Sequence, residues 1–312
     1  MASTIKSIEA PAFQRTSGSK KTEGKDARDF ALGVDALIIK ALNNPAVNKV
    51  FKSFVQVSID AQFGLNLAQG IPINHTTAPE LYTTLRYCSE TLGIPVPYTI
   101  ISSAVSGVNA MTAGTDEFAF IAVSGLIPAL FTVEEQRFIL GHECGHLALG
   151  HVVYHTAVSM LGGAAQLVPV VGSAIAKAMT FPLQAWSRRS ELSADRAGLI
   201  CCGDLDTASK TLVKLELGLG AVTAAGNAPK IDVDVKDYVN AANRMLSRNT
   251  IGKYGELLHS HPLLSKRIEA LELFAQSELY CRFTEQEAPA GVRLLSDEEL
   301  NQRTENLVKV LE

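Results

Sequence analysis

The sequence predicts a mostly helical α+β fold. In several segments apolar residues recur three and four positions apart, which is typical of helices that pack on a core. Two short runs, Tyr98–Ser102 and Phe118–Val123, are rich in Ile, Val and Phe and predict the strands of a small sheet. Of the 312 residues 47% are hydrophobic, which is enough to bury a core.

The N-terminal region divides into a tail and a helical segment. Residues 1–26 are polar and charged, lack an apolar stretch of signal-peptide length, and predict a flexible tail. Residues 27–77 predict an N-terminal helical segment with a break at Asn43-Asn44-Pro45.

Residues 78–283 predict the main domain. A helix from Glu80 to Leu92 precedes the two strand-like runs. Thr132 and Glu135 have the spacing of a capping box, which begins a helix that we expect to reach about His155. Further helices are predicted over 187–202, 205–218 and 262–280. The C-terminal unit, 284–312, is predicted to be a linker followed by a helix over Ser296–Leu311.

The composition excludes several classes of protein. A formal net charge of -4 gives no basis for a nucleic-acid partner. The five cysteines are odd in number and form no C-x-x-C pair, so we expect buried thiols rather than a disulfide framework. We therefore expect a cytoplasmic chain. Charged residues make up only 19%, below the usual ~25%, which leaves membrane association open.

One segment of the predicted central helix has the pattern of a metal site. Residues 142–146 read His-Glu-Cys-Gly-His. Because positions i and i+4 share one face of a helix, His142 and His146 can bind one ion. Two histidines and a carboxylate, with one open position, form a common catalytic zinc site, and Glu143 can act as general base towards the zinc-bound water.

The third ligand has two candidate sources. His151 and His155 follow in the same predicted helix, but Leu149 and Val152 do not fit the metzincin pattern, which requires Gly and His there. Glu191 and Asp195 are also spaced i, i+4 on a predicted helix. One of these carboxylates can bind the metal and the other can accept the free N–H of a ligand histidine.

A third signal lies at His261-Pro262, ahead of Arg267. A histidine at a helix entrance, before proline, is held firmly and can donate a hydrogen bond to an oxyanion in the transition state.

Taken in order, His-Glu-x-x-His, Glu-x-x-x-Asp and His-Pro-x-x-x-x-Arg-Ile resemble the gluzincin family of CaaX-prenyl proteases, HtpX and Oma-type peptidases. The resemblance covers roughly residues 78–275. Val108-Asn109-Ala110 and Phe118-Ala119-Phe120 are similar to the edge strand and second strand of that family. The resemblance implies a small mixed sheet with an edge strand beside the HExxH helix, and peptide-bond hydrolysis with one Zn²⁺ per chain.

The resemblance also implies roles for single residues. His142, His146 and Glu191 would be the zinc ligands, Glu143 the base and Asp195 the partner of a ligand histidine. His261 would stabilise the transition state. Asn109 would hold the substrate backbone, and Arg267 would orient substrate or support the structure.

The segment between the predicted ligands, 152–187, is apolar. It is too short for two membrane crossings and contains Pro169, Gly172 and Pro182, so it predicts a helical hairpin that turns near Pro169–Gly172. The hairpin either packs on the domain or contacts a membrane surface through 156–186.

Three functions stay open. The first is a zinc metalloendopeptidase acting on protein or peptide substrates. The others are a metal-stabilised, chaperone-like or protein-binding module without turnover, and a zinc hydrolase of small amides or esters. The N-terminal segment is a further hypothesis, since it could cover the cleft and keep an enzyme latent. The oligomeric state does not follow from the sequence.

Overall fold

A computed structural model describes residues 27–58, 70–115, 117–163, 173–218, 234–248, 261–288 and 291–309. A 3₁₀ turn, Ala27–Phe30, precedes helices α1 (Gly33–Leu42) and α2 (Pro45–Ser58). Strand β1 (Ile71–Pro72) and α3 (Pro79–Thr91) lead to strands β2 (Tyr98–Ile101), β3 (Ala110–Gly114) and β4 (Ala119–Val123). The remaining helices are α4 (Leu126–Leu130), α5 (Val133–Leu149), α6 (Val152–Gly163), α7 (Ser173–Cys202), α8 (Leu205–Leu217), α9 (Val235–Arg248), α10 (Leu264–Ala275), α11 (Glu278–Thr284) and α12 (Asp297–Val308).

The four strands form one mixed sheet in the order β1-β2-β4-β3. Strands β2 and β4 are parallel, and the other two pairs are antiparallel. Every residue of β4 is buried, as expected for a central strand, whereas β3 lies at the edge beside α5. The predicted mostly helical α+β fold, with a small mixed sheet and an edge strand beside the HExxH helix, is confirmed.

Helices α5 and α7 pack closely because small residues line their contact. A Cβ atom at Gly145 would lie 2.6 Å from the Cβ of Ala197, and one at Gly141 would lie 2.7 Å from the Cβ of Cys201. A larger side chain at either glycine would separate the two helices, which carry the two halves of the predicted metal site. The capping box predicted at Thr132 and Glu135 is present and fixes where α5 begins.

Two predicted helices are wrong in extent. The helix expected to reach His155 ends at Leu149, because Gly150 adopts a left-handed conformation with φ of 75° and α6 begins at Val152. The helix expected over 262–280 is two helices, since Ser277 caps the N-terminus of α11. Strand β1 and helix α9 were not predicted.

The segment predicted as a hairpin contains two helices, α6 and the first part of α7, and α7 continues through Pro182 into the helix predicted at 187–202. Its predicted turn, Pro169–Gly172, lies outside the described residues. The described part packs against α1 and α2 in a second apolar cluster: Leu42, Val55, Val153, Tyr154, Ala157, Val158, Leu183 and Trp186. Within the described ranges, none of the helices is both long enough and apolar enough to cross a membrane.

Candidate active site

Three side chains from α5 and α7 converge on one point. His142 Nε2 and His146 Nε2 lie 3.2 Å apart. Each also faces the Glu191 carboxylate, at 3.5 Å from Oε2 for His142 and 3.4 Å from Oε1 for His146. All three are buried or nearly so, and these three residues form one of two groups of potential metal ligands among the described residues.

The dimensions of this triangle fit a zinc ion. Tetrahedral coordination with bonds of ~2.0–2.1 Å places ligand atoms about 3.4 Å apart, close to the three observed separations. Glu191 Oε2 is a buried oxygen to which no donor of the described residues is aligned for a hydrogen bond, although His261 Nδ1 lies 2.8 Å away. A metal would satisfy this oxygen and both Nε2 lone pairs.

Asp195 holds the outer side of the first histidine. His142 Nδ1 is 2.9 Å from Asp195 Oδ1, which leaves Nε2 of His142 to face the other two ligands. Arg267 donates to both oxygens of Asp195, at 2.8 Å from Nε and 2.6 Å from Nη2. Burial raises the pKa of the Asp195 carboxyl, but Arg267 and His142 together outweigh burial and leave that pKa below its ordinary value.

Glu143 points from α5 towards the sheet. The Thr112 hydroxyl, on the edge strand β3, donates to Glu143 Oε2 at 2.6 Å and lies 3.2 Å from the Glu143 carbonyl oxygen. Thr112 was not among the residues predicted from the sequence. Its residue type is common on strands, so only the packing of β3 on α5 identifies it.

His261 stands at the rim of the site, with its side chain 62% exposed. Attraction to the Glu191 carboxylate raises the pKa of His261 above its ordinary value. Asn109 precedes β3, and its side-chain oxygen accepts a hydrogen bond from the Ala110 backbone N–H at 2.9 Å.

A cleft of about 580 Å³ opens over these groups. Six of the eight predicted site residues line it: Asn109, His142, Glu143, Glu191, His261 and Arg267. His146 and Asp195 lie behind its wall, in contact with the lining residues. No residue of the described N-terminal part, 27–58, lines this cleft.

His151 and His155, the alternative source of a third ligand, do not continue the α5 helix. His155 Nε2 is 2.6 Å from the Ser190 hydroxyl and its Nδ1 is 3.8 Å from Glu191 Oε1. Together with His146, the two form the second group of potential metal ligands.

Comparison with known proteins identifies the family of the chain. The model of peptidase family M48 matches residues 75–275. The chain is 27% identical over 250 residues to the plastoglobule-localized metallopeptidase 48, chloroplastic, of Arabidopsis thaliana, covering 78% of this chain and 71% of that protein. It is 24% identical over 233 residues to a protease HtpX homolog of Ralstonia nicotianae, covering 67% and 78% respectively.

A third relative, a protease HtpX homolog of an Arthrobacter species, is 24% identical over 235 residues, covering 69% of this chain and 78% of that protein. No solved structure matches the chain. The family model spans all the predicted site residues, from Asn109 to Arg267. The chain belongs to peptidase family M48 and is a metallopeptidase.

Proposed function

We propose that this chain is a zinc-dependent endopeptidase in which His142, His146 and Glu191 hold the metal and Glu143 is the general base. The observation that carries this proposal is the triangle of two Nε2 atoms and a carboxylate with sides of 3.2, 3.4 and 3.5 Å. Zinc bound there would polarise the scissile carbonyl and make water acidic enough to react at neutral pH.

The protein's own groups handle the proton and the substrate. Glu143 accepts a proton from the attacking water and returns it to the leaving amine. His261, at the rim, donates a hydrogen bond to the oxygen on which charge develops. An extended substrate adds a strand to the outer edge of β3, which pairs with no further strand among the described residues, and Asn109 and Arg267 line the cleft. The match to peptidase family M48 favours catalysis over the alternative of a binding module without turnover.

The contact between Thr112 and Glu143 predicts a measurable effect. Because a hydrogen bond to a charged group contributes about 1.5–3 kcal/mol, Thr112→Val is expected to lower kcat by about 10- to 100-fold, with zinc affinity unchanged. Thr112→Ser, which retains the hydroxyl, is the matched control and is expected to stay near the wild-type rate. Steady-state cleavage of an unfolded protein measures both. Equal rates for the two variants would show that Thr112 does not orient Glu143.

The contacts of His142 predict that zinc binding depends on pH. Burial lowers the pKa of His142, but the contacts with Asp195 and Glu191 outweigh burial and raise it to about 10. Burial lowers the pKa of His146, so this ring binds no proton at neutral pH. A ligand imidazole must lose its proton, so zinc is expected to release about one proton and to bind about tenfold more tightly per pH unit at neutral pH.

Calorimetric titration with zinc in buffers of different ionisation enthalpy measures the number of protons released. An apparent affinity that does not change with pH would contradict the predicted proton on His142.

A further inference from the structure

On the side away from the cleft, the second histidine of the HExxH motif, His146, lies next to a series of buried polar groups. His146 Nδ1 is 3.1 Å from His151 Nδ1. His151 Nε2 is 3.1 Å from Asp35 Oδ2, a buried oxygen to which no donor of the described residues is aligned for a hydrogen bond, and the side chains of Asp35 and His151 are both 1% exposed. Trp186 Nε1 donates to the other oxygen of Asp35 at 2.9 Å. This series of polar groups therefore ends at a buried carboxylate on helix α1.

When His146 binds a metal through Nε2, only one placement of the ring hydrogens gives every contact in this series a donor and an acceptor. His146 Nδ1 then carries a hydrogen and donates it to His151 Nδ1. His151 in turn carries its hydrogen on Nε2, the atom that faces Asp35 Oδ2. Such outer partners fix the tautomer and orientation of a ligand imidazole and increase its basicity.

We propose that Asp35 and His151 are positioning residues for His146, so that helix α1 completes the metal centre. This inference rests on the proposed function, since it takes His146 as a ligand. Asp35 lies outside the region that the family model matches, 75–275. The described N-terminal residues 27–58 would support the site from behind, and none of them lines the cleft.

Hydrogen bonds hold α1 in the place that this role requires. The Leu32 N–H donates to the Ser193 hydroxyl at 3.0 Å. At the other end of α1, the Tyr154 hydroxyl donates to the Leu42 carbonyl at 2.8 Å. Ser193 is on α7, the helix that carries Glu191, and Tyr154 is on α6, which begins directly after His151, so α1 is fixed to both elements beside the site.

The test is the affinity of the full-length protein for zinc, measured by competition with a chromogenic chelator. Asp35→Asn keeps the size of the side chain but removes its charge. We expect zinc to bind about 10- to 100-fold more weakly to this variant. Asp206→Asn is the matched control, because it makes the same chemical change at an exposed aspartate that pairs with Lys210, on the surface of α8. Its zinc affinity is expected to equal that of the wild type.

A second variant keeps the test decisive if Asp35→Asn does not fold. His151→Phe retains an aromatic ring against Trp186 but leaves His146 Nδ1 without an acceptor, and a loss of the same size is expected. Because Asp35 acts on His146 only through His151, the double variant is expected to bind zinc no more weakly than His151→Phe alone. Bound Co²⁺ is expected to show a shifted visible spectrum in both single variants and an unshifted one in Asp206→Asn.

The outcomes separate the inference from the proposed function. A wild type that binds no zinc would contradict the proposed function. A wild type that binds zinc, with Asp35→Asn and His151→Phe binding it equally well, would overturn the inference alone. Two ions per chain, one of them lost in His151→Phe, would also overturn it, since His151 would then be a ligand.

Discussion

Replacing Glu143 with glutamine is expected to lower kcat by about 10²- to 10⁴-fold while zinc content stays at one ion per chain. Glutamine has the size of glutamate and can still accept the hydrogen bond from Thr112. It cannot take a proton from water, so the variant loses the general base and little else. Cleavage of an unfolded protein, measured beside metal analysis of the same samples, gives both quantities.

The matched control for this variant is Glu134→Gln, an exposed glutamate in the first turn of the same helix. It makes the same chemical change outside the cleft, so wild-type turnover is expected. Cleavage by Glu143→Gln at the wild-type rate would exclude Glu143 as the base. Retained binding of the unfolded protein without cleavage, in the wild type itself, would instead favour the module without turnover.

Replacing Glu191 with alanine is expected to abolish hydrolysis by removing the metal. The carboxylate supplies one side of the ligand triangle and the negative charge that His142, His146 and His261 face. Burial raises the pKa of Glu191, but attraction to these histidines outweighs burial and leaves the pKa well below its ordinary value, so the group is charged at neutral pH. Zinc is expected to bind more than about 100-fold more weakly, a larger loss than that caused by removing an outer partner.

Glu305→Ala is the control for this second change. Glu305 forms an ion pair with Arg189, on the same helix as Glu191, but it does not contact the predicted ligands. Its loss is expected to leave zinc content and turnover unchanged. If Glu191→Ala keeps one tightly bound ion, the third ligand must come from elsewhere, and the pair His151 and His155 is the alternative that the structure offers.

The parts of the site that follow local rules could be predicted from the sequence. His142 and His146 share a face because helical periodicity places them there, and the capping box sets where the helix begins. The pairing of Glu191 with these histidines is a long-range contact, and it was predicted because Asp195 follows at i+4 and the motifs keep their family order. The structure adds the physical reason for the contact, which is the close approach of α5 and α7 at Gly141 and Gly145.

Other parts could not be predicted because they depend on where the chain turns. Gly150 ends α5 one residue before His151, so this ring returns to His146 instead of extending along the same helix. A glycine at that position is typical of a helix end, and the prediction of a helix to His155 did not take it into account. Thr112 and Asp35 reach the site only through packing. One feature of the sequence indicated that Asp35 is buried. It lies three residues after Leu32 and four before Ile39, on the apolar face of α1.

X-ray absorption at the zinc edge of the loaded wild-type protein tests the central claim most directly, because it reports the atoms bound to the ion. We predict nitrogen and oxygen ligands alone, at ~2.0–2.1 Å, with the scattering of two imidazoles per zinc. Sulfur at about 2.3 Å, or the scattering of three or more imidazoles without a carboxylate, would contradict the assignment of His142, His146 and Glu191 as the ligands.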